Sequence, residues 1–118
     1  MGNLIEGNQL RGSFGRGEGG ALAIPGNPLV ADNVIRNNSA YDNAGGLWLR
    51  GGSPEIVGNV IVSNTCNTNG GAIWITGSAA PEIRNNTIAD NEAGGVGGGI
   101  YSQNQSNVTV VNTILSDN

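Results

Sequence analysis

The chain has 118 residues, 37% of them apolar, a net charge of −4, one cysteine and no histidine, and all five of its basic residues are arginine. The missing imidazole and ammonium groups remove the commonest general bases, and the single cysteine rules out an internal disulfide. An acidic balance whose one basic cluster is Arg11 and Arg16 disfavours nucleic acid as a partner, and no apolar run approaches the roughly 18 residues of a membrane span, so no membrane insertion is expected.

Taken in chain order, one pattern recurs. A worn first copy reads Ile5, Asn8, Leu10 and then Gly20-Ala21-Leu22, with Ile24 two residues on. The next opens at Pro28 and continues Asn33, Ile35, Asn38, then Leu47-Trp48-Leu49. The third runs Pro54, Asn59, Ile61, Asn64, then Ile73-Trp74-Ile75, and the fourth Pro81, Asn86, Ile88, Asn91, then Ile100-Tyr101. A last partial copy holds Asn112, Ile114 and Asp117, so that Asn33, Asn59, Asn86 and Asn112 follow one another at steps of 26, 27 and 26. A period in this range means stacked units, none of which can bury its apolar face alone.

Apolar residues alternate at spacing two in short runs such as Leu22/Ile24, Leu47/Leu49 and Ile73/Ile75, and no helical periodicity is sustained. The unit is therefore made of strands separated by bends at Gly, Asn and Pro. The 21 glycines and 12% charge also describe a disordered polar tract, but disorder has no reason to hold Ile, Asn and Trp in register over four copies. The expectation is an all-β solenoid, a parallel β-helix of about four to five coils with three strands each. In the fourth copy 81–85 forms one strand, Asn86 turns the corner, 87–90 forms a second, and a glycine-rich loop leads to 99–102. Asparagine suits the corner because it tolerates the left-handed backbone conformation and bonds nearby backbone groups. Stacked at about 4.8 Å, Asn33, Asn59, Asn86 and Asn112 are expected to pass amide hydrogen bonds up a ladder.

The pattern Pro-x-Ile-x-x-Asn-x-Ile-x-x-Asn followed by Gly-Gly-Ala-Ile or Gly-Gly-Gly-Ile-Tyr resembles right-handed, single-stranded parallel β-helix repeats of the pectate-lyase-like superfamily. The resemblance covers essentially the whole chain. The pairing of Ile61-Val62-Ser63-Asn64 with Gly70-Gly71-Ala72-Ile73 is also similar to the repeats of polymorphic outer-membrane adhesins, with Ile where that family usually has Phe. It implies the fold strongly and the activity weakly, since such folds serve polysaccharide lyases and hydrolases, tailspikes and adhesins alike.

A hydrolase needs two converging carboxyl groups about 5–10 Å apart. Glu55 and Glu82 share a register position but follow proline as solvated outward residues, and Asp42, Asp90 and Glu92 belong to the variable loop. A calcium-assisted lyase needs clustered Asp beside a basic Arg, and Arg50 stands with only Thr76 and Gln103 in its register. No catalytic residue, metal site or cofactor is assigned, and the reading leans away from an enzyme. Gly94–Gly99 resembles a phosphate loop by composition alone.

Trp48, Trp74 and Tyr101 place three of the five aromatic residues at one repeat position. If the flanking aliphatics fill the interior, these rings point outward as a stripe. The stripe is then either a structural ladder shielding the sheet or a flat apolar strip for a glycan or protein; an inward orientation is the third possibility. Cys66 is placed in a loop, and the glycosylation-type triplets beginning at Asn37, Asn85, Asn104 and Asn107 are expected by chance in so Asn-rich a chain.

The chain enters and leaves within the same strand-corner-strand unit, without a polar cap. A single uncapped domain over 1–118 is expected, either a segment of a longer protein or a subunit that stacks end to end into filaments. Its partners would be other coils of a parent protein or identical subunits, with glycan a candidate ligand. The functional expectation is a structural or adhesive module of a secreted or cell-surface protein. The alternative is a fragment of a carbohydrate-active lyase or hydrolase.

Overall fold

Runs in which every second residue is aliphatic fold as strands of two to four residues, each beside the equivalent strand of the neighbouring coils. The computed structural model describes residues 2–10, 20, 22–103 and 105–118, and Arg11, Arg16, Ala21 and Asn104 lie outside them. Sheet A stacks β1 (Leu4–Glu6), β5 (Val34–Arg36), β9 (Val60–Val62), β13 (Thr87–Ala89) and β17 (Ile114–Ser116). Sheet B stacks β2 (Gln9–Leu10), β6 (Ser39–Ala40), β10 (Thr65–Cys66) and β14 (Glu92–Ala93). Sheet C stacks β3 (Leu22–Pro25), β7 (Leu47–Arg50), β11 (Ile73–Thr76) and β15 (Ile100–Ser102). Sheet D stacks β4 (Leu29–Ala31), β8 (Glu55–Val57), β12 (Glu82–Arg84) and β16 (Thr109–Val111). All these pairings are parallel, so the chain winds as a solenoid.

Each full coil carries four strands, one more than the sequence pattern suggested. The reason is a second sharp corner. Between sheets D and A the backbone turns through left-handed residues at Asp32, Gly58, Asn85 and Asn112, with φ of 57°, 65°, 58° and 46°. Five residues later it turns again at Asn37, Ser63, Asp90 and Asp117, with φ of 55°, 55°, 54° and 51°. The second corner ends β13 at Ala89 and starts the two-residue strand β14, which places Glu92 on a strand and Asp90 at a corner rather than in the loop. Cys66 likewise lies on β10 and is buried.

The ladder asparagines sit one residue after the left-handed position, not on it. Asn33 donates from its backbone N and its Nδ2 to Asn59 Oδ1 at 2.9 and 3.1 Å, and Asn59 donates in the same way to Asn86 Oδ1 at 2.8 and 3.1 Å. Each Nδ2 also reaches the previous coil, Asn59 to the Val30 carbonyl and Asn86 to the Ile56 carbonyl, both at 2.8 Å. One side chain therefore links three coils. At the second corner a parallel ladder runs through Asn8, Asn38, Asn64, Asn91 and Asn118.

The last rung departs from the expected register. Leu115, not Ile114, pairs with Ile88, and Thr113 Oγ1, not Asn112, accepts from the Asn86 backbone at 3.4 Å. Asn112 is instead the left-handed corner residue in register with Asn85. A step of 26 residues would have put Asp117 under Asn91, and a carboxylate has no N–H to give back. The observed register puts Asn118 there, which accepts from Asn91 Nδ2 at 2.9 Å and donates to the Ile88 carbonyl at 3.0 Å. Asn3 supplies the rung before Asn33, 30 residues earlier.

Inside the tube, Ile35, Ile61 and Ile88 of sheet A meet Ile56 and Ile83 of sheet D, with Leu47, Leu49, Ile73 and Ile75 of sheet C, all fully buried. Each such aliphatic side chain contributes about 2–3 kcal/mol of burial. Removing the Asn86 amide strands the Asn59 backbone N–H, the Asn59 side chain and the Ile56 carbonyl, at about 1–3 kcal/mol for each buried group left unpaired. Asn86→Ala is therefore expected to lower unfolding stability by roughly 3 kcal/mol or more, while Asn112→Gly, at a left-handed exposed corner, changes it by only a few tenths of a kcal/mol. Denaturant titration of the two variants checks this directly, and equal losses would contradict the register described.

Candidate functional site

Sheet C carries the aromatic column because its inward positions are taken by Leu47/Leu49 and Ile73/Ile75, all with zero exposure. Alternation then turns Trp48, Trp74 and Tyr101 to the outer face, where Trp48 pairs with Trp74 and Trp74 with Tyr101 in register. Trp48 and Tyr101 are half-buried, and Trp74, between them, is only 8% exposed. An inward orientation does not occur: none of the three belongs to the aliphatic core.

The Trp48 and Trp74 rings are stacked with centroids 5.3 Å apart and planes 22° from parallel. That separation is close to the coil spacing of about 4.8 Å, so the two rings repeat along the stack with the paired strands that carry them. The Arg50 guanidinium carbon lies 4.4 Å from the Trp48 ring centroid, a cation–π contact. The column thus holds a stacked pair of rings beside a cation. Trp48 Nε1 donates to Thr76 Oγ1, one coil on, at 3.0 Å.

The loops before sheet C shape the base of this column. Ala44, Gly70 and Gly97 each lie four residues before an aromatic and each is left-handed, with φ of 59°, 72° and 69°. A Cβ on Gly70 would sit 2.9 Å from Trp74 Cβ, and one on Gly97 would sit 2.8 Å from Tyr101 Cβ. Here glycine lets the backbone approach the root of the ring. The sequence signal was present in the Gly-Gly pairs just ahead of β11 and β15, but composition alone assigned those glycines to loops.

The remaining candidate groups lie on other faces. Glu55 and Glu82 occupy one register position of sheet D, and Arg84 bridges them, 3.2 Å from Glu55 Oε2 and 3.1 Å from Glu82 Oε1. Asp42 is buried in the loop after β6. Burial pushes the Cys66 thiol pKa up, opposed in part by backbone hydrogen bonds from Thr68, Gly45 and Ala44. Among the described residues no three Cys, Asp or Glu side chains come together as a metal-holding group.

One donor in the aromatic column is left over. Trp74 Nε1 is buried and has no hydrogen-bond partner among the described residues. Its counterpart in Trp48 is satisfied by threonine, and the register that pairs Trp74 with Tyr101 places Gln103 where Thr76 serves the coil before. An unsatisfied buried donor costs about 1–3 kcal/mol. Gln103→Thr is expected to restore the rung and raise unfolding stability by about 1 kcal/mol, measurable as a higher denaturant midpoint at unchanged slope.

A family model described as right-handed β-helix region matches residues 1–118. No curated protein and no solved structure matched the chain. The full-length match and the parallel coil-on-coil pairing agree, and the chain belongs to the right-handed β-helix family.

Proposed function

We propose that this β-helix is a structural and adhesive module of a secreted or cell-surface protein, contacting glycan or protein through the outer face of sheet C. The observation that supports this reading is the Trp48–Trp74 stack with Arg50 against it. A stack held by two neighbouring coils is constrained, so a partner meets aromatic rings and guanidinium donors that lose little freedom on contact. Arg36 and Arg84 are each ion-paired with glutamate, whereas the contact described for Arg50 is the Trp48 ring, and Arg50 is exposed, so its guanidinium can meet an acceptor.

Lengthwise contacts form the second part of the proposal. Val110 and Leu115 continue the inner columns in the last coil at 43% and 52% exposure, surface that a further coil would cover, whether of a parent protein or of an identical subunit stacked end to end. A glycan array probed with the folded chain, followed by product analysis of the bound sugars, tests the reading. Binding without cleavage is expected, and Arg50→Ala and Tyr101→Ala, with circular dichroism unchanged, should each weaken it about tenfold, or 1.4 kcal/mol. Unaltered binding in both folded variants would remove the sheet C site, and new reducing or unsaturated ends would assign the chain to carbohydrate-active enzymes instead.

A further inference from the structure

The buried amides of the two ladders are all matched: Asn38, Asn59, Asn64, Asn86 and Asn91 each accept from one coil and donate to another. Trp74 Nε1 is the one buried side-chain group among the described residues that has no partner. Folded interiors rarely leave a donor in that state, and an exception calls for a role. The indole is also held where it is. Trp48 stacks on it with centroids 5.3 Å apart, Tyr101 follows it in register, and a Cβ on Gly70 would sit 2.9 Å from Trp74 Cβ.

The coil before shows which acceptor fits this donor. Trp48 Nε1 donates to the hydroxyl of Thr76, which stands two residues after the next ring of the column, at 3.0 Å. The equivalent residue beside Trp74 is Gln103, whose backbone N donates to the Ile75 carbonyl at 2.9 Å. Its side chain is exposed and makes no hydrogen bond among the described residues. The neighbours on this face are Arg50, which is exposed, and Tyr101 and Thr76, which are half-buried. Thr76 Oγ1 accepts from Trp48 and has a proton of its own to give. Arg50 is the only charged residue in the four strands of sheet C, on a chain of net charge −4. A polyanion therefore gains little here, whereas sugar hydroxyls find a donor at each of several coils.

We propose that sheet C binds a neutral oligosaccharide, one hydroxyl oxygen of which accepts from Trp74 Nε1 as Thr76 Oγ1 accepts from Trp48 Nε1, with the Gln103 side chain turned aside. The inference rests on the sheet C reading above and adds to it the donor and the class of sugar. The free protein carries the penalty of an unpaired buried donor, and a ligand oxygen that pairs it relieves that penalty. A hydroxyl supplied by the chain itself at position 103 competes with the ligand for the same N–H.

Titration calorimetry and ¹⁵N–¹H spectra of the 118-residue chain test this, with neutral hexasaccharides of glucose, xylose and mannose as probes and a galacturonate hexasaccharide as the anionic comparison. The chain has two tryptophans, so Trp74→Phe identifies the Trp74 indole signal by its loss. A neutral hexasaccharide is expected to bind and to move that signal downfield. Trp74→Phe and Gln103→Thr, folded by circular dichroism, should each weaken binding about tenfold. Gln103→Ala, which clears the position without filling it, should bind at least as tightly as the parent. Gln103→Thr binding as the parent does, or Gln103→Ala losing as much as Gln103→Thr, overturns the proposal. So does an indole signal that no neutral hexasaccharide moves, or binding of the galacturonate alone. Arg50→Ala and Tyr101→Ala, measured beside them, separate two kinds of failure: binding lost in these two but kept in Trp74→Phe and Gln103→Thr leaves sheet C as the site and removes the Trp74 donor, while binding indifferent to all four removes sheet C as well.

Discussion

Everything in this molecule rests on each coil lying in register on the one before, and the buried asparagine amide enforces that register. The aliphatic core sets only the alternation: burial of isoleucine on isoleucine is non-directional, and a coil that slid by two residues would keep its apolar side chains inside. An amide at a closed corner is less tolerant. Asn59 and Asn64 each accept from the coil before, donate to the coil after and return a proton to a backbone carbonyl. A slip of one residue would leave several of these groups buried and unpaired, and it would also turn the core columns out to solvent. The two ladders, five residues apart, clamp sheet A between them, and sheets B, C and D inherit its register through the chain.

Register then converts sequence repetition into surface. Each outward position becomes a column repeated at the coil spacing, so like chemistry accumulates on one face: carboxylates with Arg84 on sheet D, aromatics with Arg50 on sheet C, aliphatics on sheet A. The same stacking limits what a column can do. Two tryptophans one coil apart stack on each other, so part of their ring surface is engaged within the protein. Beside that stack the outer face of sheet C carries the half-buried Tyr101 ring and the exposed Arg50.

The repeat of asparagine, isoleucine and aromatic residues was enough to indicate from sequence a parallel solenoid and, given an interior filled by Leu47/Leu49 and Ile73/Ile75, an outward column of Trp48, Trp74 and Tyr101. Period and alternation are local properties, and they survive without knowledge of the third dimension. Other features depend on which residue of one coil lies over which of the next. Thr113 rather than Asn112 closes the first ladder because the whole last coil shifts by one residue to put Asn118, and not Asp117, under Asn91. The fourth strand of each coil exists because Asn37, Ser63 and Asp90 take the left-handed conformation, which a serine or aspartate does not announce. That Trp74 is sealed with no N–H partner among the described residues while Trp48 is satisfied follows from threonine or glutamine one coil away. The sequence by itself determined the kind of fold and the side of the wall each repeat position occupies; only the tertiary structure decided the partners, because hydrogen bonds and ring stacking are settled between residues 26 to 30 positions apart.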